Sequence, residues 1–280
     1  MEGMVKESVL GLVVAGLLIA LTHISSDAAS DKTARDKNGL VGPVRMVTTK
    51  LSLFSVTENY DRAGNLIEAV TYSEYDKTST RHVFAYNQKG NLQEETAYDG
   101  DGVLIYRKIF AYGYDSSGHE TAVVAASQDG VFNHAEFSIY DEKGYLSEVS
   151  FFAGSSIYRN VLDVQGHIVY SARFNNRQLL SETKWSYDNN GRLIELLSYG
   201  PTGTITGKTV YEHDDSGKRP REITERYEQG AVGKFVTTYE YDGTGNWIKE
   251  RMRKEAGSSE SATTQPQIVQ ERVIVYYEIR

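Results

Sequence analysis

The sequence predicts an all-β repeat protein, an antiparallel meander of hairpins, and three observations predict it. A turn of the form Tyr-Asp-x-x-Gly-x-Leu recurs along the chain. Apolar and aromatic residues alternate with polar ones after each copy, and no part of the repeat region sustains a helical period. Close copies of the turn are Tyr60–Leu66, Tyr86–Leu92, Tyr140–Leu146, Tyr187–Leu193 and Tyr241–Trp247, and weaker ones end in Gly118, Gly166 and Gly217. From Gly64 to Gly245 successive glycines stand 26, 28, 26, 22, 25, 26 and 28 residues apart, a period that marks a repeat architecture.

Residues 1–28 read as a signal peptide. Val9 to Leu21 is apolar apart from glycines, and Ser26-Asp27-Ala28 offers small residues for cleavage after Ala28. An uncleaved anchor is the alternative and the one expected contact with a membrane, although Val9 to Ile24 is shorter than the roughly 20 residues that span a bilayer. Residues 29–39 are expected to be a flexible, polar lead-in. The remainder, residues 40–280, reads as one repeat domain.

Within it each Asp-x-x-Gly suits a type I turn. The aspartate accepts from amides further along, and the glycine takes the left-handed conformation other residues resist. Asp61 and Gly64, Gly90, Asp141 and Gly144, Asp188 and Gly191, and Asp242 and Gly245 are the structural turn residues. By simple alternation Leu66, Glu68, Val70 and Tyr72 share one face, as do the residues starting at Leu92, Leu146 and Leu193. Further glycines midway, at Gly102, Gly130 and Gly203, give each period of about 26 residues two strands. Seven periods, with Val44–Phe54 before them and Ile268–Ile279 after, make too many strands for an open sheet, so a long curled sheet or partial barrel with the Leu/aromatic face inward is expected. Residues 255–267 are low in hydrophobicity and read as a long polar hairpin loop.

Composition narrows the function. The chain carries 30 basic and 38 acidic residues for a net charge of −8, which argues against a nucleic-acid partner. It has no cysteine, so thiolate metal sites and disulfides are excluded. Asp99-Gly100-Asp101-Gly102 opens like a calcium loop but has Phe110 where an EF-hand needs an acid, and the histidines lack metal-ligand spacing; no metal and no cofactor are expected. Ser181-x-x-Lys184 lies in strand phase, which puts the two side chains on opposite faces and removes the helical geometry that nucleophile pair needs.

The Tyr-Asp-x-x-Gly-Asn-Leu units, with an aromatic some eight residues after the glycine, resemble the YD repeats of RHS-type bacterial proteins from Tyr60 to about Tyr241. Gly42–Val47, Tyr241–Trp247 and Arg272–Tyr277 look like parts of short exported YD-repeat proteins. The resemblance implies a sheet wound into a shell or partial barrel, in the periplasm, on the surface or secreted, with carbohydrate or envelope binding proposed for the repeats. Large relatives add a core-associated segment and a toxin module, neither of which is expected here.

Two residue sets are candidates for a binding surface. Glu68, Glu94, Glu148 and Glu195 recur once per repeat between a Leu and an aromatic. They read either as a carboxylate ladder for sugar hydroxyls or as cross-strand partners of bases such as Lys108 or Lys184. The pairing reading takes precedence, since a residue recurring once per repeat answers to the repeat's geometry. Trp185 and Tyr187 stand out among 20 Tyr, 9 Phe and 2 Trp as an aromatic pair for ligand contact, whereas Trp247 fills the Leu slot of its turn. The expectation is an exported, non-enzymatic protein that binds carbohydrate, peptidoglycan or another envelope component. The alternative is a protein-interaction scaffold that offers strand edges or loops, and the third reading is a glycan hydrolase with two carboxylates.

Overall fold

A computed structural model of the chain describes residues 33–127, 132–153, 155–213, 221–228, 231–255 and 267–278. The signal-peptide segment, most of the 255–267 loop and the first part of the lead-in lie outside them.

One short helix, α1 (Ala34–Lys37), precedes eighteen strands among the described residues. These are β1 (Val44–Lys50), β2 (Phe54–Tyr60), β3 (Leu66–Ser73), β4 (Ser79–Tyr86), β5 (Leu92–Asp99), β6 (Leu104–Tyr114), β7 (Glu120–Ser127), β8 (Phe132–Tyr140) and β9 (Leu146–Ala153). There follow β10 (Ser156–Leu162), β11 (Ile168–Asn175), β12 (Gln178–Tyr187), β13 (Leu193–Tyr199), β14 (Ile205–Glu212), β15 (Arg221–Glu228), β16 (Ala231–Tyr241), β17 (Trp247–Glu255) and β18 (Gln267–Tyr276). Each pairs antiparallel with its neighbours in sequence, and β18 returns to pair with β1, Ile274 standing opposite Val47. The meander is therefore a closed barrel, which leaves no strand without two partners.

The Asp-x-x-Gly turns form as the sequence dictates. Gly191 N donates to Asp188 O at 3.0 Å and Asp188 N to Arg192 O at 2.9 Å. The Asp188 side chain accepts from the amides of Asn190 and Arg192 at 2.9 and 2.8 Å, and Gly191 sits at φ +75°. The same bonds recur around Asp141, where Oδ1 takes the amides of Lys143 and Tyr145 at 2.9 Å each. Because strands alternate in direction, the turns that begin at Asp61, Asp115, Asp141, Asp163, Asp188 and Asp242 line one rim of the barrel, and the turn at Asp99 lies on the other.

Each such turn among the described residues is followed by a β-bulge, and the bulge corrects the face expected from alternation. Tyr60 pairs with Leu66 but Asn59 pairs with Glu68, so Ile67 is an extra residue. The same step separates Leu92 from Glu94, Leu146 from Glu148 and Leu193 from Glu195. Leu66 thus faces inward with Tyr60, whereas Glu68, Val70 and Tyr72 face outward and Ala69 continues the inward row. Buried Leu66, Leu92, Leu146, Ala69, Ala97 and Val149 are members of this inner face.

Inside, the region of β1–β5 is packed. Val44, Val47, Tyr60, Leu66, Ala69, Phe84 and Leu92 form one apolar cluster with Leu40, and Ala34 lies against it. The lead-in, expected to be flexible, is ordered from Thr33. Thr33 and Asp36 cap α1 reciprocally, Arg35 N donates to Gly64 O at 3.0 Å, and Asn38 Nδ2 reaches the Tyr60 hydroxyl at 2.7 Å. Burial of Leu40 and this bond to an inward-facing tyrosine supply the reason that polarity alone did not reveal. Asn246 locks the seam, taking Val41 N on Oδ1 at 2.7 Å and giving Nδ2 to Val41 O and the Tyr276 hydroxyl at 2.8 Å each.

Candidate functional site

The four recurrent glutamates are on the outer wall, each beside a base on the next strand. Glu68 pairs with Arg81 at 2.5 Å, Glu94 with Arg107 at 2.6 Å, Glu148 with Arg159 at 2.7 Å and Glu195 with Lys208 at 2.6 Å. The hydrogen bonds from Arg107 and Arg159 hold the Glu94 and Glu148 carboxyls below the usual carboxylate range. Cross-strand geometry uses these carboxylates, with partners other than Lys108 and Lys184. Each pair is half-exposed and contributes at most about 1 kcal/mol. Together with Arg251–Glu240 and Lys249–Glu271 they place charged pairs on the outer wall.

Tyr187 is a rim residue. Its hydroxyl donates to Ile168 O at 2.8 Å and its ring stacks on His167 with centroids 4.6 Å apart. Trp185 points the other way from the glutamates: it stands opposite Leu196 on the inner face of β12. The structure therefore does not bring Trp185, Tyr187 and the glutamates to one surface.

What surrounds Trp185 is the inner wall of β10–β15, and it differs from the packed wall of β1–β5. By register the inward residues there include Asn160, Ser171, Thr183, Ser198, Thr209 and Thr224, all only partly buried. Ser171 Oγ donates to Asn160 Oδ1 at 2.7 Å, and the Thr209 and Thr224 hydroxyls lie 3.1 Å apart. Among the described residues Trp185 has no hydrogen bond and no ring contact. Trp247, in contrast, is buried, edge-on to Tyr239 at 5.8 Å and beneath Arg272 at 3.6 Å, which makes it structural. A half-buried indole among hydroxyls can stack on a flat apolar face while its neighbours exchange hydrogen bonds with polar groups around it.

Alternation concealed a second inner group. Glu95, rather than its neighbour Glu94, turns inward on β5, and it is almost fully buried. Its Oε1 accepts from the Tyr106 hydroxyl at 2.6 Å and lies 3.0 Å from His82 Nδ1, and its Oε2 accepts from Lys108 Nζ at 3.1 Å. Burial pushes the carboxyl up, but His82, Lys108 and Tyr106 outweigh it and bring its pKa to about 2. An ionised carboxylate can only accept, so His82 carries its proton on Nδ1. The pair Glu94-Glu95 was the available signal, since one of two adjacent strand carboxylates must face in. This group braces three strands with Glu95 and His82 buried, so it is assigned a structural role. Among the described residues, no group of three or more His, Asp or Glu could hold a metal ion.

No protein-family model matches the chain, and no curated protein matches it by sequence. Among solved structures it is similar to a porin-like protein from Bacteroides uniformis, with 11% identity and a TM-score of 0.43 over 84% of this chain and 99% of that one. A porin-like protein from Bacteroides vulgatus gives 12% identity and a TM-score of 0.35 over 85% of this chain and 100% of that one. A TcdB2-TccC3-Cdc42 structure matches 75% of this chain at 12% identity and a TM-score of 0.31, and the chain spans 14% of the length of that one. At such scores these likenesses carry no argument about function or location.

Proposed function

We propose that this chain is an exported, non-enzymatic barrel that binds a carbohydrate chain along the inner wall of β10–β15, with Trp185 as its stacking platform. The observation that carries the reading is Trp185 itself, half-buried, inward-facing, opposite Leu196 and without a hydrogen bond or ring contact among the described residues, on a wall that carries serine and threonine hydroxyls. Export rests on the apolar run from Val9 to Leu21 with Ser26-Asp27-Ala28 after it. The target is a glycan of the cell envelope or its surroundings. Co-sedimentation of the full chain with peptidoglycan sacculi and insoluble polysaccharides tests it. Binding lost in Trp185→Ala and kept in Glu94→Gln supports the inner wall; binding that survives Trp185→Ala overturns it.

A second reading, a protein-interaction scaffold, is favoured by one stretch of the exterior. Ile109, Phe137, Ile139 and Phe152 are exposed there, between the Arg107–Glu94 pair and the Arg159–Glu148 pair. Closure of the sheet means that such a partner would meet this apolar face, since β-augmentation has no bare edge to use.

A further inference from the structure

Among the described residues, Arg173 is an inward-facing cation with no ion pair and no hydrogen bond. Arg173 on β11 stands opposite Tyr158 on one side and Ser181 on the other, both inward-facing. Its guanidinium lies 5.4 Å from the centroid of the Tyr158 ring, and that ring stacks on Phe151 at 4.7 Å and 10°. Two stacked rings on neighbouring strands thus place the guanidinium over an aromatic face. Yet it makes no hydrogen bond and no ion pair among the described residues, and the residue is exposed. On the outer wall Arg81, Arg107, Arg159 and Arg251 are each matched to a glutamate. A barrel that pairs these four strand arginines and leaves Arg173 with its N–H fork unspent has a preset donor for a planar anion.

We infer that Arg173 reads a carboxylate on the bound saccharide, so that the ligand is an acidic oligosaccharide built from uronic acid units. The inference rests on the proposed inner-wall site and deepens it. Register fixes the scale. Arg173 faces Ser181, and Trp185 is four residues further along β12, so the two ends of the site are separated by about 14 Å of strand. Ser171 and Thr183, which face each other, lie between them. A site of that length takes several sugar units, with one ring on the indole and a carboxylate at the guanidinium. A carboxylate in the bidentate grip of an arginine is held by two parallel charge-assisted hydrogen bonds, which a neutral ester cannot form.

The test is calorimetric titration of the full chain with tri-galacturonate and with its fully methyl-esterified form, using wild type, Arg173→Gln and Arg173→Lys. The expected result is free-acid binding about tenfold or more tighter than the ester in wild type. That preference should vanish in Arg173→Gln and be partly retained in Arg173→Lys, with unchanged melting because the side chain is exposed. Equal affinity for acid and ester in wild type, unaltered by Arg173→Gln, would overturn the acid-reading role and leave the inner-wall site standing. Binding of neither form, together with no loss on Trp185→Ala in the co-sedimentation assay, would overturn the site and this inference with it.

Discussion

The hydroxyl of Tyr187 donates to the backbone carbonyl of Ile168 at 2.8 Å, tying one Asp-x-x-Gly turn to the strand that leaves the turn before it. The bond repeats around the rim, from Tyr86 to Leu66 O at 2.8 Å, from Tyr112 to Leu92 O at 2.6 Å and from Tyr140 to Glu120 O at 3.0 Å. This ladder explains why the repeat keeps a tyrosine where a phenylalanine would pack as well. Tyr187→Phe should destabilise the fold by about 1 kcal/mol, the net worth of one such bond. Chemical denaturation checks it, and equal stability would mean that the ring alone matters.

The turn glycines are not equivalent. A Cβ on Gly191 would meet His167 at 3.0 Å, whereas at Gly166 nothing lies within 4 Å, and both have positive φ, +75° and +85°. Gly166→Ala should lose about 1–2 kcal/mol to backbone strain. Gly191→Ala should lose more, because His167 must also leave its stack on Tyr187. Melting of the two variants side by side decides it.

The β11–β12 turn shows the opposite situation. Asn176 and Arg177 both have positive φ, +47° and +65°, in the two-residue hairpin that favours Asn-Gly. Arg177→Gly should therefore stabilise the barrel by about 0.5–1 kcal/mol. A lower melting temperature would show that Arg177 makes up for its strain in some other way.

Glu95 gives the fold a pH dependence. Its folded pKa, about 2, lies below the ordinary 4.5, so the unfolded state binds the proton more readily. The stabilisation is full above pH 4.5 and is lost as the pH falls from there towards 2. It amounts to about 3 kcal/mol at neutral pH by linkage. Glu95→Gln should be well below wild type in stability at pH 7, with the gap closing by pH 2–3. A gap that stays constant with pH would show that His82, Lys108 and Tyr106 do not hold an ionised carboxylate.

Much of this was legible in the residues. The Asp-x-x-Gly spacing specified the turns because hydrogen-bond chemistry and positive φ leave few alternatives, and the strand number required a curled sheet. Closure was not legible, since it depends on β18 finding β1 across some 220 residues of chain, with Asn246 at the seam. The face of Glu68, Glu94, Glu148 and Glu195 was misread because one bulge residue per turn, such as Ile67, reverses the phase of everything after it. The same slip hid Glu95. Trp185 escaped the error because it stands before its turn rather than after it, and the arginine that joins it on the inner wall carried no motif at all.

A ligand on the inner wall around Trp185 would change the surroundings of its indole. The most direct measurement is the emission of Trp185 alone, in a Trp247→Phe background, on titration with oligosaccharides. A saccharide stacked on the indole should give a saturable spectral shift together with protection from acrylamide quenching, both absent when the titrant is the buffer salt. Emission and quenching that stay constant, while the same saccharide binds the chain by calorimetry, would contradict the inner-wall site and place the ligand elsewhere on the barrel.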